Sequence, residues 1–324
     1  MKWLITGGCG FLGTSVIKQL KKEGNHSFRI LDNLSVGTRE DLAEAIDFEE
    51  IKPEQITDLE SGTCQLIVGD IRDEKITQQV CQNMDAIIHF AANTGVPNSV
   101  EDPRLDMECN VVGIFNMLEA ARQNKVKRFV FASSGAPAGE VEPPIHEELP
   151  PHPVSPYGAS KLAGEGYCSS YFKTFEIDTV ALRFGNVYGP GSKHKSSVVA
   201  KFIRLALEGK QVEIYGDGSQ TRDFIYIDDL VDAVIKAGTV DGIGGETYQI
   251  AAARETTLNE LMDILKPTLT EQGIDLDIKY GKKRLGDVMR NFSDTSKAKE
   301  QLNWKANTDL PIGINKTINW FLNQ

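Results

Sequence analysis

The stretch Gly7-Gly8-Cys9-Gly10-Phe11-Leu12-Gly13 constrains this chain more than any other. It follows a short apolar run, Lys2-Trp3-Leu4-Ile5-Thr6, and precedes Val16, Ile17 and Leu20 at helical spacing. Strand, tight turn and helix are the elements that this order predicts. Gly8, Gly10 and Gly13 match Gly-x-Gly-x-x-Gly, while Gly7, Gly10 and Gly13 give Gly-x-x-Gly-x-x-Gly. Such a turn lets backbone approach a pyrophosphate and aims a helix N-terminus, here Phe11 and Leu12, at its negative charge. The next apolar run, Phe28-Arg29-Ile30-Leu31, ends at Asp32, roughly 20 residues beyond the glycines. A carboxylate there accepts both ribose hydroxyls of NAD and repels the extra phosphate of NADP. Strand, turn, helix, strand and acid in this order predict an NAD site.

The same rhythm continues through the first half. Gln65-Leu66-Ile67-Val68-Gly69-Asp70, Ala86-Ile87-Ile88-His89-Phe90-Ala91-Ala92 and Arg128-Phe129-Val130-Phe131-Ala132 read as strands. A polar stretch over 35–62 carries a helix and loop, a helix runs from Val111 through Ala121, and the prolines between Pro137 and Pro156 mark a loop. Alternating strands and helices predict an α/β fold, a doubly wound parallel sheet of Rossmann type. A smaller, mixed α/β C-terminal lobe binds the substrate. The expected division is 1–180 for the NAD-binding domain and 181–324 for the lobe, with about 220–250 returning to the first domain. Ligands in such sheets sit at the carboxyl ends of strands, which places Asp32, Asp70, Ala91 and Ser133–Ser134 along one crevice.

Bulk properties narrow the class. Hydrophobic residues make up 40% of 324, and no apolar run approaches the ~20 residues of a membrane span. No basic, apolar and cleavable leader opens the sequence, and no membrane association is expected. A net charge of −11 disfavours nucleic acid as a partner. The scattered thiols, Cys9, Cys64, Cys81, Cys109 and Cys168, form no Cys-x-x-Cys, and the histidines show no ligand spacing. Reduced thiols in the cytoplasm, with no metal site, are expected.

A second feature concerns chemistry. Ser155-Pro156-Tyr157-Gly158-Ala159-Ser160-Lys161 reads as a helix start, with Ser155 as cap and Pro156 at the first position. Tyr157 and Lys161, four residues apart, share a face. A free tyrosine has a pKa of about 10, and a nearby cation lowers it toward use as a base. The spacing alone is common on helix surfaces; its meaning depends on the NAD turn in the same chain.

Taken together, the motifs resemble the extended short-chain dehydrogenase/reductase family, and within it the nucleotide-sugar 4-epimerases of the UDP-glucose 4-epimerase type. The resemblance spans nearly the whole chain: the Thr6–Gly13 turn, Asp32-Asn33-Leu34-Ser35, Gly69-Asp70-Ile71-Arg72-Asp73, His89-Phe90-Ala91-Ala92, Ser133-Ser134 and Tyr157–Lys161. It continues with Leu182-Arg183-Phe184-Gly185-Asn186-Val187-Tyr188-Gly189-Pro190, Thr221-Arg222-Asp223-Phe224, Arg284-Leu285-Gly286-Asp287-Val288 and Leu302-Asn303-Trp304. The resemblance implies that NAD stays bound and is regenerated in each turnover. Tyr157 as phenolate takes the 4-hydroxyl proton of a UDP-hexose, Lys161 contacts the nicotinamide ribose and, with the nicotinamide charge, holds the tyrosine pKa down, and Ser134 bonds the same oxygen. A 4-keto sugar then turns over in the pocket. Asn33, Asp70 and Ile71, Ala91 and Ala92 are implied to surround the cofactor, and Asn110 to bond a phosphate or the nearby chain; a strand-end acid such as Asp70 is otherwise often a turn former. Asn186, Arg222, Arg284, Asp287, Tyr215, Thr94 and Asn291 are implied to meet the sugar nucleotide, the arginines through its phosphates. Helices near 111–123 and 157–171 resemble the pair that joins relatives into homodimers.

The departures are informative. Dehydratases and decarboxylases of the family place an acid just after the active-site hydroxyl, whereas Ser134 is followed by Gly135-Ala136-Pro137-Ala138-Gly139. That favours epimerisation over elimination or decarboxylation. Thr94 replaces a longer polar side chain found in some members. Asn291 stands where a bulky residue restricts the pocket, so UDP-glucose/UDP-galactose and UDP-GlcNAc/UDP-GalNAc remain competing substrates. A non-catalytic NAD(H) sensor on the same fold is the alternative from another class; it has no need of Ser134, Tyr157 and Lys161.

Overall fold

The structure, a computed structural model, describes residues 1–282 and 288–324. Among the described residues fourteen strands are formed: β1 Lys2–Thr6, β2 Ser27–Asp32, β3 Glu49–Glu50, β4 Cys64–Val68, β5 Ala86–His89, β6 Arg128–Ser134 and β7 Asp178–Phe184; β8 Asn186–Tyr188, β9 Val212–Tyr215, β10 Thr221–Arg222, β11 Phe224–Tyr226, β12 Thr247–Ile250, β13 Thr256–Thr257 and β14 Ile278–Gly281. Eight of them make one sheet in the order β12-β7-β6-β5-β1-β2-β4-β3. The ladders β3/β4, β4/β2, β2/β1, β1/β5 and β5/β6 are parallel, with Trp3 opposite Phe28 on one side and Ala86 on the other. The order reverses between β1 and β5, the topological switch point of a doubly wound sheet.

The chain divides into two compact units. The first comprises Met1–Gly139, Pro150–Arg183 and Val231–Tyr248. Its strands are buried on both faces; Trp3, Leu4 and Ile5 of β1 are fully enclosed, as helices on both sides of a parallel sheet require. The helix Phe11–Glu23 turns Gly13, Thr14, Val16, Ile17 and Leu20 inward, one stripe at helical period. The helix Pro156–Phe175 starts where Ser155 Oγ accepts the Gly158 N–H at 3.1 Å and stops at Glu176 in a left-handed conformation.

Two segments differ from the sequence expectation. The helix expected over 111–121 begins earlier, as Pro103–Met107, passes through a wide π turn at Glu108–Val112, and continues as Gly113–Gln123. Asn110 lies in that wide turn, and its side chain is bonded away from the helix, as described below. The polar stretch over 35–62 holds the helix Arg39–Ala43, the edge strand β3 and a single turn at Pro53–Gln55. Arg29 of β2 anchors it. This fully buried guanidinium donates to the carbonyls of Thr57 (2.7 Å), Val80 (3.0 Å) and Gln82 (2.8 Å) and to Gln65 Oε1 (3.3 Å).

The second unit comprises Glu140–Leu149, Phe184–Leu230 and Gln249–Gln324. It is built on three short pairs: β8 with β11 and β9 with β14, both parallel, and β10 with β13, antiparallel. Helices Val198–Leu207, Leu258–Thr270, Ser296–Gln301 and Leu310–Leu322 cover them. Trp304 is buried, and its indole N–H donates to the Asp229 carbonyl at 2.8 Å. Among the described residues no helix is long and apolar enough to cross a membrane.

The Arg29 anchor gives a stability test. Arg29→Met leaves the carbonyls of Thr57, Val80 and Gln82 without their donor, and the buried one, on Val80, should cost about 1–3 kcal/mol. The midpoint of urea unfolding should fall clearly; an unchanged midpoint would show that the segment around Thr57 does not depend on the guanidinium.

Candidate active site

The turn after β1 is made by backbone alone. Gly7 has φ +68°, and a Cβ there would stand 2.8 Å from the Ala91 nitrogen. A Cβ on Gly13 would meet Gly8 Cα at 2.5 Å, closer than real side chains allow. Gly10 donates to the Gly7 carbonyl at 3.1 Å and heads the helix Phe11–Glu23, whose N-terminus no side chain caps. Thr6 Oγ1 bonds His89 Nδ1 at 2.8 Å and accepts the Ala91 N–H at 3.2 Å, which locks the end of β1 to the end of β5. Asp32, the last residue of β2, is buried. Its Oδ2 accepts the Cys9 N–H and its Oδ1 the Leu34 N–H, both at 2.9 Å. Burial pushes this carboxyl up and the two N–H bonds pull it back. Each oxygen keeps a further lone pair, so the acid retains capacity for a diol. Backbone cradle, bare helix N-terminus and buried acceptor fit a dinucleotide.

Ser134, Tyr157 and Lys161 meet at the end of β6. Ser134 Oγ accepts the Ala136 N–H at 3.2 Å and hydrogen-bonds the Tyr157 phenol. Lys161, one turn along the helix, is buried, and its ammonium donates to the Ala132 carbonyl at 2.9 Å. It lies 4.9 Å from the Phe131 ring centre and 5.8 Å from that of Tyr157. Burial pushes the phenol up to about 12; the Ser134 hydrogen bond draws it down, and the Asp106 charge pushes it up again. Burial likewise brings Lys161 down to about 8, opposed by Asp106 and Glu165. Desolvation is the first cause for both groups, and it disfavours the charged form of each.

Two residues implied to lie at the cofactor have partners within the chain. Asp70 is a turn former: its carboxylate accepts the Arg72 N–H (2.9 Å), the Arg72 guanidinium (2.9 and 3.0 Å) and Asn33 Nδ2 (3.3 Å). Its four acceptor positions are filled. Asn110 is buried and serves the chain. Its Oδ1 accepts the Asn93 N–H at 2.8 Å, and its Nδ2 lies 2.9 Å from the Asn93 carbonyl, 2.9 Å from Asp106 Oδ1 and 3.1 Å from Ser160 Oγ. Ile71 packs into the core cluster with Ile114 and Met117. Asn33 is exposed and also accepts the Ser35 N–H at 3.1 Å. Ala92 is half-buried, and Thr94 is exposed with its carbonyl accepting Asn98 Nδ2 at 3.1 Å.

The sequence reading passed over two buried acids. Glu165 takes a two-pronged ion pair from Arg183, at 2.8 Å to each oxygen, and Ser133 donates to its Oε1 at 2.6 Å. Its position four residues after Lys161 was the available signal. Asp106 is 1% exposed and sits near both Lys161 and Tyr157 in charge terms. Nothing in its local sequence marks it.

In the second unit, β10 gathers the implied substrate residues. Arg222 donates to the carbonyls of Thr221 (2.6 Å) and Val288 (2.8 Å), and Asn291 N donates to Thr221 Oγ1 at 3.1 Å. Thr221 Oγ1 in turn donates to Glu255 Oε1 at 2.9 Å, and Arg290 joins Glu255 to Glu142. Asn186 N donates to the Asp223 carbonyl at 2.7 Å, while the buried Asp223 carboxylate accepts the Ala252 and Ser293 N–H groups. Burial pushes Asp223 up to about 6 against these N–H bonds. Tyr215, at the end of β9, is exposed, and its carbonyl accepts Gln220 Nε2 at 2.7 Å. Arg284 and Asp287 lie outside the described residues.

Residues 3–251 match the NAD dependent epimerase/dehydratase family. The chain belongs to that family. A relative from Methanocaldococcus jannaschii, described as a putative UDP-glucose 4-epimerase, is 36% identical over 99% of this chain and 98% of its own length. The crystal structure of UDP-glucose 4-epimerase with UDP-glucose from Thermotoga maritima superposes with a TM-score of 0.88 at 32% identity, covering 100% of this chain and 99% of that one. UDP-N-acetylglucosamine 4-epimerase from Methanobrevibacter ruminantium, solved with UDP-N-acetylmuramic acid, gives 0.87 at 30%, covering 100% and 98%. NAD is the cofactor of this family, and the doubly wound sheet is its fold.

Two outcomes follow from the buried charges. In nucleotide-free protein Tyr157 stays protonated at neutral pH, so a wild-type minus Tyr157→Phe absorbance difference should show no tyrosinate below about pH 11. A midpoint near neutrality would overturn this. Glu165→Gln leaves Arg183 buried without its anion and should cost about 3–5 kcal/mol in denaturant unfolding.

Proposed function

We propose that this enzyme epimerises C4 of a UDP-hexose, UDP-glucose/UDP-galactose or UDP-GlcNAc/UDP-GalNAc, through a transient 4-keto sugar. The observation that carries the reading is the Ser134–Tyr157–Lys161 cluster at the end of β6, in the same unit as the glycine cradle. The printed names and ligands of the relatives support the substrate class. The first unit is read as the NAD domain and the second as the sugar-nucleotide lobe, which carries Asn186, Tyr215, Arg222, Arg284, Asp287 and Asn291.

NAD, when bound, supplies a reversible hydride acceptor and a positively charged ring. Gly7, Gly10, Phe11, Leu12 and Gly13 hold its pyrophosphate through backbone, and Asp32 accepts its adenosine ribose hydroxyls. Tyr157 takes the proton from the sugar 4-hydroxyl as C4 is oxidised, and gives it back after the sugar has turned. Ser134 donates to the same oxygen. Lys161 holds positive charge beneath the phenol. Burial of the phenol opposes its ionisation, and the positive nicotinamide ring together with Lys161 is the charge that would offset it. Arg222 and Arg284 receive the phosphates.

A dehydratase or decarboxylase reading is disfavoured by the small residues after Ser134, which here form a short turn at Ala136–Ala138 with no carboxylate. A homodimer is supported by apolar side chains left exposed on the two helices read as its interface: Val112, Phe115 and Phe175, between 38% and 44% exposed. Free cysteines, four of the five buried, suit the cytoplasm.

Purified protein given UDP-galactose or UDP-GalNAc without added NAD should form the C4 epimer. Tyr157→Phe should lower turnover by about 10²–10⁴-fold while NAD remains bound. Absence of product from every UDP-sugar, with NAD demonstrably bound, would reject the assignment.

A further inference from the structure

Asp223, the residue between β10 and β11, is fully enclosed, and the proposed chemistry makes no use of its carboxylate. Its Oδ1 accepts the Ala252 N–H at 2.8 Å and its Oδ2 the Ser293 N–H at 3.1 Å. Its carbonyl accepts the Asn186 N–H at 2.7 Å. One residue thus ties β8, the loop after β12 and the segment around Ser293 to the stretch 221–226, all within the second unit. Three of the residues assigned to the sugar nucleotide sit on these tied pieces. Arg222 precedes Asp223 in the chain, Asn186 is bonded to its carbonyl, and Asn291 stands two residues before Ser293.

The segment 288–294 runs between two partners. Toward β10 and Asp223 it offers the Met289 carbonyl to the Thr221 N–H (2.8 Å), the Asn291 N–H to Thr221 Oγ1 (3.1 Å) and the Ser293 N–H to the Asp223 carboxylate. Toward Ile145 it offers the Phe292 carbonyl (2.9 Å) and the Asp294 N–H (2.8 Å). Alternate residues therefore bond to opposite sides, as in a strand of a ladder. Arg222 is fixed to the same segment, its guanidinium donating to the Val288 carbonyl at 2.8 Å. The Ala252 and Ser293 N–H groups come from separate segments and converge on one side chain. An ionised carboxylate only accepts and can take both, whereas an amide of the same shape turns a donor toward one of them. A buried N–H left without its acceptor is costly, so the charge at this position has a use that asparagine does not supply.

We propose that Asp223 is a positioning residue for the sugar-nucleotide site: its two carboxylate bonds hold the segment carrying Asn291 in register with Arg222 and Asn186, so that the three meet the ligand as one preset surface. Enclosed in the chain, it acts through these residues and not on the substrate itself. The inference rests on the reading of Arg222, Asn186 and Asn291 as contacts of a UDP-sugar, and its first test needs no turnover.

Binding of UDP to the NAD-loaded protein, measured by calorimetry, reads that surface directly. The measurement is made at about pH 8, above the value of about 6 to which burial pushes Asp223. Asp223→Asn breaks one of the two bonds and should weaken UDP binding by about tenfold or more, with NAD content unchanged. Trp304→Phe is the control: it removes the indole bond to the Asp229 carbonyl in the same unit and leaves both Asp223 bonds in place. It should lower the unfolding midpoint and keep the wild-type UDP affinity. In turnover, D223N should raise KM for the UDP-sugar by a similar factor with little change in kcat. A merely structural role would lower the unfolding midpoint and the amount of active enzyme without moving KM or UDP affinity. Unchanged UDP affinity in D223N, or an equal loss in W304F, overturns the proposal. Should D223N fail to fold, Ser293→Pro removes the N–H donor, keeps the carboxylate with its Ala252 bond, and carries the same measurement. If neither variant folds, the role is structural and the proposal fails. Weakened UDP binding in a protein whose wild type epimerises no UDP-sugar keeps the positioning role and rejects the epimerase reading. A wild type that binds neither UDP nor any UDP-sugar rejects the substrate class, and the proposal with it.

Discussion

At the end of β1 the backbone of Gly7 presses against Ala91 and that of Gly13 against Gly8, at separations that any added side chain would close. The rest of the first unit depends on this contact. It lets the helix Phe11–Glu23 start directly on the sheet, with no side chain over its N-terminal N–H groups. It also brings Cys9 to the place where its N–H meets Asp32, so the acid is aimed by the same turn that makes the cradle. Thr6, bonded to His89 and to Ala91, carries the constraint across the switch point to β5. Turn, acid and strand end therefore behave as one preorganised surface rather than three separate recognition elements.

The helix Pro156–Phe175 is unusual in what it turns inward. Ser160, Lys161 and Glu165 are buried on a face that an ordinary helix would fill with leucine. Each is answered locally: Lys161 by the Ala132 carbonyl and the Phe131 ring, Glu165 by Arg183 and Ser133, Ser160 by the Asn110 and Asp106 side chains. Such an arrangement stabilises the fold less than apolar packing would. What it provides is a set of charges whose positions cost nothing further when a proton moves.

Much of this was legible in the sequence, and the reasons for the rest are physical. Glycine spacing, the strand-ending Asp32 and the Ser155–Pro156 start report local backbone requirements, which a single stretch of sequence carries by itself. The alternating strands likewise announce a parallel sheet. By contrast, the wide turn at Glu108–Val112 arises from side-chain bonds between Asn110, Asn93 and Asp106, partners up to 17 residues apart. Asp70 was read at the cofactor by its position, and its bonds to Arg72, two residues on, needed the fold to be seen. The burial that pushes the Tyr157 phenol up was likewise out of reach, being a property of the folded surroundings and not of a four-residue spacing.

The first unit is assembled from three separated stretches, Met1–Gly139, Pro150–Arg183 and Val231–Tyr248. Its outermost strands at one edge, β7 and β12, are separated in sequence by β8–β11. A chain leaving the ribosome cannot complete the sheet until the sequence of much of the second unit has already been made. Nor can a single cut or a simple end-to-end fusion exchange one unit for another. Exchange of one unit would need cuts at several places, because the segments of the two units alternate along the sequence.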